Sequence, residues 1–162
     1  MTEGPRTMTR DIGDNRPRTI TVIQGDCAIS ASPHVTLSTV LGSCVAVCLF
    51  DPELRVGGMN HFLLPGEGRG NGTQRYGVHL MELLINGLLK HGADRARLTA
   101  KLFGGARMSD TLQDIGRGNI CFAREFLSRE SIPVVSEHVG GRNARRLRYF
   151  PATGTAQQLL VS

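Results

Sequence analysis

The segment Leu41-Gly42-Ser43-Cys44-Val45-Ala46-Val47 sets a thiol directly after a glycine turn that follows an alternating, strand-like stretch. Glycine lets a bound group approach the backbone closely and leaves amide N–H groups outside the sheet ladder. Such N–H groups are what an oxyanion hole requires. A free cysteine has a pKa of ~8.5, so the thiol needs a base before it becomes a good nucleophile. His61, in the apolar stretch Met59-Asn60-His61-Phe62-Leu63, can supply one from a neighbouring strand. The same pair also has a plainer reading, as a small core cysteine and a structural histidine. A third reading is a metal site made from Cys44, Cys48 and His61, because residues at i and i+4 share a face in a strand or a helix.

Other reactive residue types carry weaker signals. Cys48 lies inside an apolar run and reads as core, while Cys27 and Cys121 read as structural. His34, His79, His91 and His138 have no partner at informative spacing. Gly104-Gly105 and Gly140-Gly141 match neither G-x-G-x-x-G nor a P-loop and read as tight turns, so no nucleotide fingerprint is present.

The elements that must position the thiol follow from periodicity. Alternating β-branched residues predict strands at Thr19–Ile23 and Val35–Leu41. The run Ser43–Phe50 is continuous and apolar, and its valines favour a strand beginning within it, closed by the turn Asp51-Pro52. Val56–Leu64 reads as a further strand, and Glu67–Gln74 as a Gly-rich polar loop. Val78, Met81, Ile85 and Leu88 recur at helical spacing and predict a helix over Tyr76–Lys90, stopping at Gly92. A strand at Arg97–Phe103, a second helix at Asn119–Ser128 and strands at Ile132–Ser136, Arg146–Phe150 and Ala156–Val161 complete the pattern. The expected fold is a single mixed α/β (α+β) domain over residues 18–162, with a mixed β-sheet packed against about two helices. Residues 1–17 have almost nothing to bury and are expected to form a flexible arm.

Composition narrows the function. With 162 residues and 40% hydrophobic content the chain suits one domain with a real core, and 20 glycines exclude a coiled coil. The longest apolar run is far short of the ~20 residues of a membrane span. The first twenty residues carry no secretory pattern, so a cytoplasmic location without membrane insertion is expected, with all four cysteines as thiols. The net charge of +5 comes from 17 Arg and 2 Lys against 14 acidic residues. The cluster Arg142, Arg145, Arg146 and Arg148 has only Tyr149 and Phe150 beside it, which argues against nucleic acid and for an acidic protein partner.

Taken together, Leu41-Gly42-Ser43-Cys44-Val45-Ala46-Val47-Cys48-Leu49-Phe50-Asp51-Pro52 and Gly57-Gly58-Met59-Asn60-His61-Phe62-Leu63-Leu64-Pro65 closely resemble the CheD family of chemoreceptor glutamine deamidases. Further matches are Tyr76-Gly77, Ala100-Lys101-Leu102-Phe103-Gly104-Gly105-Ala106, Ile115-Gly116 with Asn119, and Gly140-Gly141-Arg142. The resemblance covers roughly residues 19–161.

The resemblance implies an α/β sandwich similar to toxin-type cysteine deamidases, with Cys44 as nucleophile and His61 as its base. The family can show threonine six residues before the cysteine. Here Ser38 holds that place and Thr39 follows it, so either hydroxyl is a candidate third member. Gly42, Ser43 and Asn60 are then assigned to the substrate carboxamide and its oxyanion. The implied reaction converts glutamines of methyl-accepting chemotaxis receptors to glutamate through a thioester, without metal or organic cofactor. The same acyl-enzyme would serve hydrolysis of receptor glutamyl methyl esters. Many members also bind a CheC-type phosphatase, and Arg142, Arg145 and Arg146 are candidates for gripping an acidic receptor surface. The alternative is a non-catalytic adaptor that keeps the fold and binds receptor or phosphatase.

Overall fold

The computed structural model describes residues 16–64, 71–110 and 114–161. The element order is β1 (Arg18–Thr21), β2 (Cys27–Ser30), β3 (Val35–Leu41), β4 (Val45–Asp51), β5 (Val56–Asn60), α1 (Asn71–Lys90), β6 (Thr99–Gly104), α2 (Ile115–Arg129), β7 (Val134–Val139), β8 (Ala144–Phe150) and β9 (Thr155–Val161). A single 3-10 turn, Arg95–Arg97, precedes β6. One sheet has the order β1-β3-β8-β9 and the other β2-β5-β4-β6-β7. Pairing is antiparallel except at β1–β3 and β6–β7.

Three layers result, and β4 shows why. Val45, Val47 and Leu49 face one way, into a core with Leu84, Ile85 and Leu88 of α1 and Phe122, Ala123 and Phe126 of α2. Ala46 and Cys48 face the other way, between the sheets, with Leu37, Leu41, Met59, Leu147 and Tyr149. A strand covered on both faces needs apolar residues at every position, which accounts for the continuous run in its sequence.

Several boundaries move from the sequence reading for physical reasons. Strand β2 was not expected: four residues, all buried, show no alternation to detect. The strand expected at Val56–Leu64 ends at Asn60, with only an isolated bridge between Val45 and Phe62 beyond it. Helix α1 starts at Asn71, inside the expected polar loop, whose residues 67–70 lie outside the described ones. Its glycine-rich start is tolerated because tertiary packing outweighs propensity: a Cβ on Gly77 would meet Phe122 Cζ at 2.5 Å. Helix α2 starts at Ile115 because the Asp114 side chain accepts from Arg117 N as an N-cap. Residues 1–15 of the expected arm lie outside the described residues, and Arg18 already belongs to β1.

The end of β4 is held by a buried charge. The Asp51 carboxylate, fully enclosed, accepts from the backbone N–H groups of Glu53, Leu54 and Asp94 and takes a two-pronged bond from Arg97 at 2.9 and 2.8 Å. The Arg97 bonds and these N–H groups hold its acidity well below the ordinary carboxylate range, against the opposing effect of burial. A carboxyl group shifted down in the folded state contributes stability above its unfolded pKa of ~3.9, and loses it as pH falls toward the folded value. Asp51→Ala should therefore cost about 3 kcal/mol in urea unfolding at pH 7, the low end for a broken buried pair because Arg97 reaches solvent. Asp51→Asn should flatten the fall of melting temperature between pH 5 and pH 2; an unchanged slope would contradict this account.

Candidate active site

His61 occupies the break between the end of β5 and the Phe62 bridge, and its main chain is taken up by the loop between β1 and β2. Its N–H donates to Asp26 O at 3.2 Å, and its carbonyl accepts from Gly25 N at 2.7 Å. Gly25 adopts φ +90, the left-handed turn that points its N–H back at His61. The ring is 6% exposed at residue level and is held at Nδ1, 3.0 Å from Val22 O and 2.9 Å from Thr39 Oγ1. A carbonyl only accepts, so Nδ1 carries the proton in the neutral ring and Nε2 holds the lone pair. Nε2 is buried and has no hydrogen-bond partner among the described residues.

Of the two hydroxyls expected beside His61, the structure brings Thr39. In the β3–β8 register Thr39 pairs with buried Leu147, and Ser38 with exposed Arg148, so the two side chains leave opposite faces of the sheet. Ser38 still contributes through its backbone: its carbonyl accepts from Val22 N at 2.9 Å, holding the residue whose carbonyl orients the imidazole.

Cys44 precedes β4 and packs with the inter-sheet cluster, the same side to which His61 reaches Thr39. Continuing the β4–β5 register through the Val45–Phe62 bridge sets His61 opposite Ala46, with Cys44 two residues along on the same face. Such diagonal neighbours are ~7–8 Å apart at the backbone, within reach of side-chain adjustment. The resting thiol donates elsewhere, to Gln24 Oε1 at 3.6 Å.

The turn carrying Cys44 is fastened by its carbonyls. Gly42 O accepts from Ala106 N at 2.9 Å, Ser43 O from Asn119 Nδ2 at 2.9 Å and Cys44 O from Gly105 N at 2.8 Å. Among the described residues the N–H groups of Ser43 and Cys44 have no backbone acceptor. The contact with Gly104 is backbone to backbone, since a Cβ there would lie 2.2 Å from Cys44 O, and its φ of +107 would strain any other residue. Gly42 and Ser43 thus belong to the turn that carries Cys44, and Ser43 also lines a cleft with Arg107, Met108 and Asp114.

Two expected residues lie elsewhere. Asn60 is 1% exposed, with Oδ1 accepting from Val47 N at 3.0 Å and Nδ2 directed to Met81 Sδ at 3.3 Å, so its amide is used inside the core on the far face of the sheet. Arg145, expected at the surface as a grip for an acidic partner, is 2% exposed and donates to the carbonyls of Gly104, His138 and Gly140. It braces the Gly104-Gly105 turn behind Cys44. Arg142 is exposed and paired with Asp110 at 2.6 Å. Cys48, four residues along a strand from Cys44, is ~13 Å away. Among the described residues no group of three His, Cys, Asp or Glu is placed to hold a metal ion.

Asn119 joins the site from α2, donating to Ser43 O and accepting from Leu64 N at 2.9 Å. It ties the thiol's turn to the segment following His61. An asparagine beside Ile120 and Ala123 on the buried helix face is the signal for it. Val22 gave no signal, because its backbone carbonyl does the work.

The family model for CheD chemotactic sensory transduction matches residues 63–158. A protein of Ruegeria sp. (strain TM1040) named probable chemoreceptor glutamine deamidase CheD 1 is 54% identical over 145 residues, covering 89% of this chain and 78% of the relative. The chain belongs to the CheD family. A CheD relative from Rhizobium etli (strain CIAT 652), named probable chemoreceptor glutamine deamidase, is 52% identical over 151 residues, 91% of this chain and 82% of its own. Spans of that length in a 162-residue chain necessarily include both Cys44 and His61. Among solved structures, the Bacillus licheniformis hypothetical protein YfiH overlays with a TM-score of 0.43 at 16% identity, covering 76% of this chain and 60% of that one.

Burial raises the Cys44 thiol above its ordinary value, partly offset by its own backbone N–H. Burial also lowers the His61 imidazole below 6.5, against the pull of the Val22 carbonyl. At neutral pH the pair therefore rests as thiol and neutral imidazole. Alkylation of Cys44 by iodoacetamide, followed on its own peptide by mass spectrometry, should rise with pH to a midpoint above that of an unperturbed cysteine; a plateau already reached at pH 7 would mean a resting ion pair instead. Asn119→Ala leaves Ser43 O and Leu64 N without their partner and should cost about 1–3 kcal/mol in urea unfolding; a change within error would remove Asn119 from the frame of the site.

Proposed function

We propose that this chain is a protein-glutamine deamidase that converts glutamines of methyl-accepting chemoreceptors to glutamate with release of ammonia. The observation that carries the reading is the His61 ring, with Nδ1 tied to the Val22 carbonyl and Thr39 and with a buried, unpartnered Nε2 on the face that carries Cys44. The names of the curated relatives support the reaction and the substrate class.

In the reaction so proposed, His61 Nε2 takes the thiol proton as Cys44 Sγ bonds to the side-chain carbonyl carbon of the substrate glutamine. The carbonyl electron pair moves to oxygen, where the N–H groups of the Ser43–Cys44 turn receive it. Collapse of this tetrahedral species breaks the C–N bond, and the proton on Nε2 leaves with ammonia. Water then gives a proton to Nε2 and attacks the thioester carbon, releasing glutamate, and the sulfur recovers its proton. None of these steps calls on a metal or organic cofactor. The imidazole must be neutral at the outset, which places the acid limb of the rate profile below pH 6.5.

A CheC-type phosphatase is proposed as a second protein partner on the family resemblance, and a pull-down with the purified phosphatase tests it. Among the described residues no helix is long and apolar enough to cross a membrane.

Incubation with a chemoreceptor cytoplasmic fragment, read by peptide mass spectrometry, should show specific glutamines becoming glutamate. Cys44→Ala and His61→Ala should abolish the conversion. Thr39→Val should slow it roughly tenfold, the worth of one hydrogen bond with the Val22 contact left in place. Receptor binding without any conversion by the unmutated protein would establish the adaptor instead.

A further inference from the structure

Among the described residues, one side chain is hydrogen-bonded to the Cys44 thiol. Gln24, exposed at the tip of the loop between β1 and β2, sets its carboxamide oxygen 3.6 Å from Cys44 Sγ. The loop beneath it is anchored on both sides of Gln24. Val22 N donates to Ser38 O, Val22 O holds the His61 ring, Gly25 N donates to His61 O and Asp26 O accepts from His61 N. The backbone of Gln24 is thereby fixed to the same residue that serves as base, while its side chain is exposed.

We propose that the Gln24 carboxamide is a catalytic donor that supplies an N–H to the Cys44 thiolate and then to the oxyanion built on it. A carboxamide suits both states of the sulfur. Its oxygen accepts from the neutral thiol, as observed, and rotation by half a turn about its terminal torsion presents Nε2–H to an anion in the same place. That torsion is broad and two-fold, so the exchange is easy. When Sγ bonds to the substrate carbon, the carbonyl oxygen carrying the new electron pair lies within ~3 Å of the sulfur, inside the reach of a group already in contact with it. No proton changes hands: Nε2–H donates while the charge is on oxygen, and the pair returns to the C=O bond as ammonia leaves. A thiol that burial keeps neutral gains most from such a donor, because hydrogen bonds to an ion are about twice as strong as neutral ones.

The turnover arm of the test rests on the deamidase reading, and the alkylation arm does not. Gln24→Ala and Gln24→Glu change an exposed side chain, and unaltered melting curves will show that both variants fold. With the receptor fragment, Gln24→Ala should lower kcat about 10²-fold with little change in KM, the loss typical of one oxyanion donor. Gln24→Glu, isosteric but without a donor, should fall at least as far. In iodoacetamide alkylation read on the Cys44 peptide, both variants should shift the midpoint to higher pH, Gln24→Glu more than Gln24→Ala. Loss of the neutral thiol bond acts the other way, but the charge-assisted bond to the thiolate is the stronger of the two. An unchanged midpoint with unchanged kcat overturns the proposal. A faster Gln24→Ala enzyme also overturns it, since the carboxamide would then be an obstacle in the substrate's place. Should the unmutated protein deamidate nothing, the deamidase reading fails, and the alkylation shift still decides whether Gln24 serves the thiolate.

Discussion

The contact between His61 Nδ1 and the Val22 carbonyl fixes the proton on the imidazole of the candidate site. A carbonyl oxygen cannot donate, so the neutral ring has one tautomer in this position, with its basic nitrogen turned inward. Most of the nearby structure maintains that contact. The carbonyl of Ser38 holds the Val22 N–H, and the turn at Gly25 returns the chain to the His61 backbone. Thr39 adds a second partner at the same ring nitrogen. The histidine is held by both its ring and its main chain, at a point where the strand itself has stopped pairing.

The thiol is positioned by a different set of bonds meeting at the turn before β4. Three successive carbonyls, of Gly42, Ser43 and Cys44, are taken by Ala106, Asn119 and Gly105. The Gly104-Gly105 turn is braced in its own right by Arg145, which lies in the other sheet. Each layer of the fold thus contributes: one sheet supplies Thr39 and Arg145, the other His61 and the Gly104-Gly105 turn, and the helical layer Asn119. With the carbonyls turned toward these partners, the N–H groups of Ser43 and Cys44 have no backbone acceptor among the described residues.

Burial sets the resting state of the pair. With the thiol pushed up and the imidazole pushed down, neither is charged at neutral pH, and the free protein keeps an unreactive sulfur in hydrogen-bond contact with a neutral amide. In the proposed reaction, donors to the sulfur act only after the proton has moved. This differs from cysteine sites in which a thiolate–imidazolium pair is stored before substrate arrives. The exposed cysteine of α2, Cys121, has no comparable surroundings, and Cys27 and Cys48 are buried thiols raised by desolvation, Cys27 to about 12.

The sequence alone carried the candidate chemistry and most of the elements. The thiol after a glycine turn, the histidine in a short apolar stretch, the amphipathic helices and the alternating strands are all local patterns, written in residue type and spacing. The doubly buried β4 was legible too, as a run that alternation could not explain. What stayed hidden was decided by pairing between distant segments. Choosing Thr39 over Ser38 required knowing which face of β3 meets the second sheet, because neighbouring strand residues differ only in the side they present. Asn60, Arg145 and Asn119 are polar residues whose burial depends on partners up to 76 positions away. The Val22 carbonyl carries no side-chain signature at all, and Gln24 meets Cys44 only because β1, β2 and β4 converge at one end of the sandwich. Local sequence sets which groups exist and how each segment folds; only the closed three-layer packing decides which of them meet.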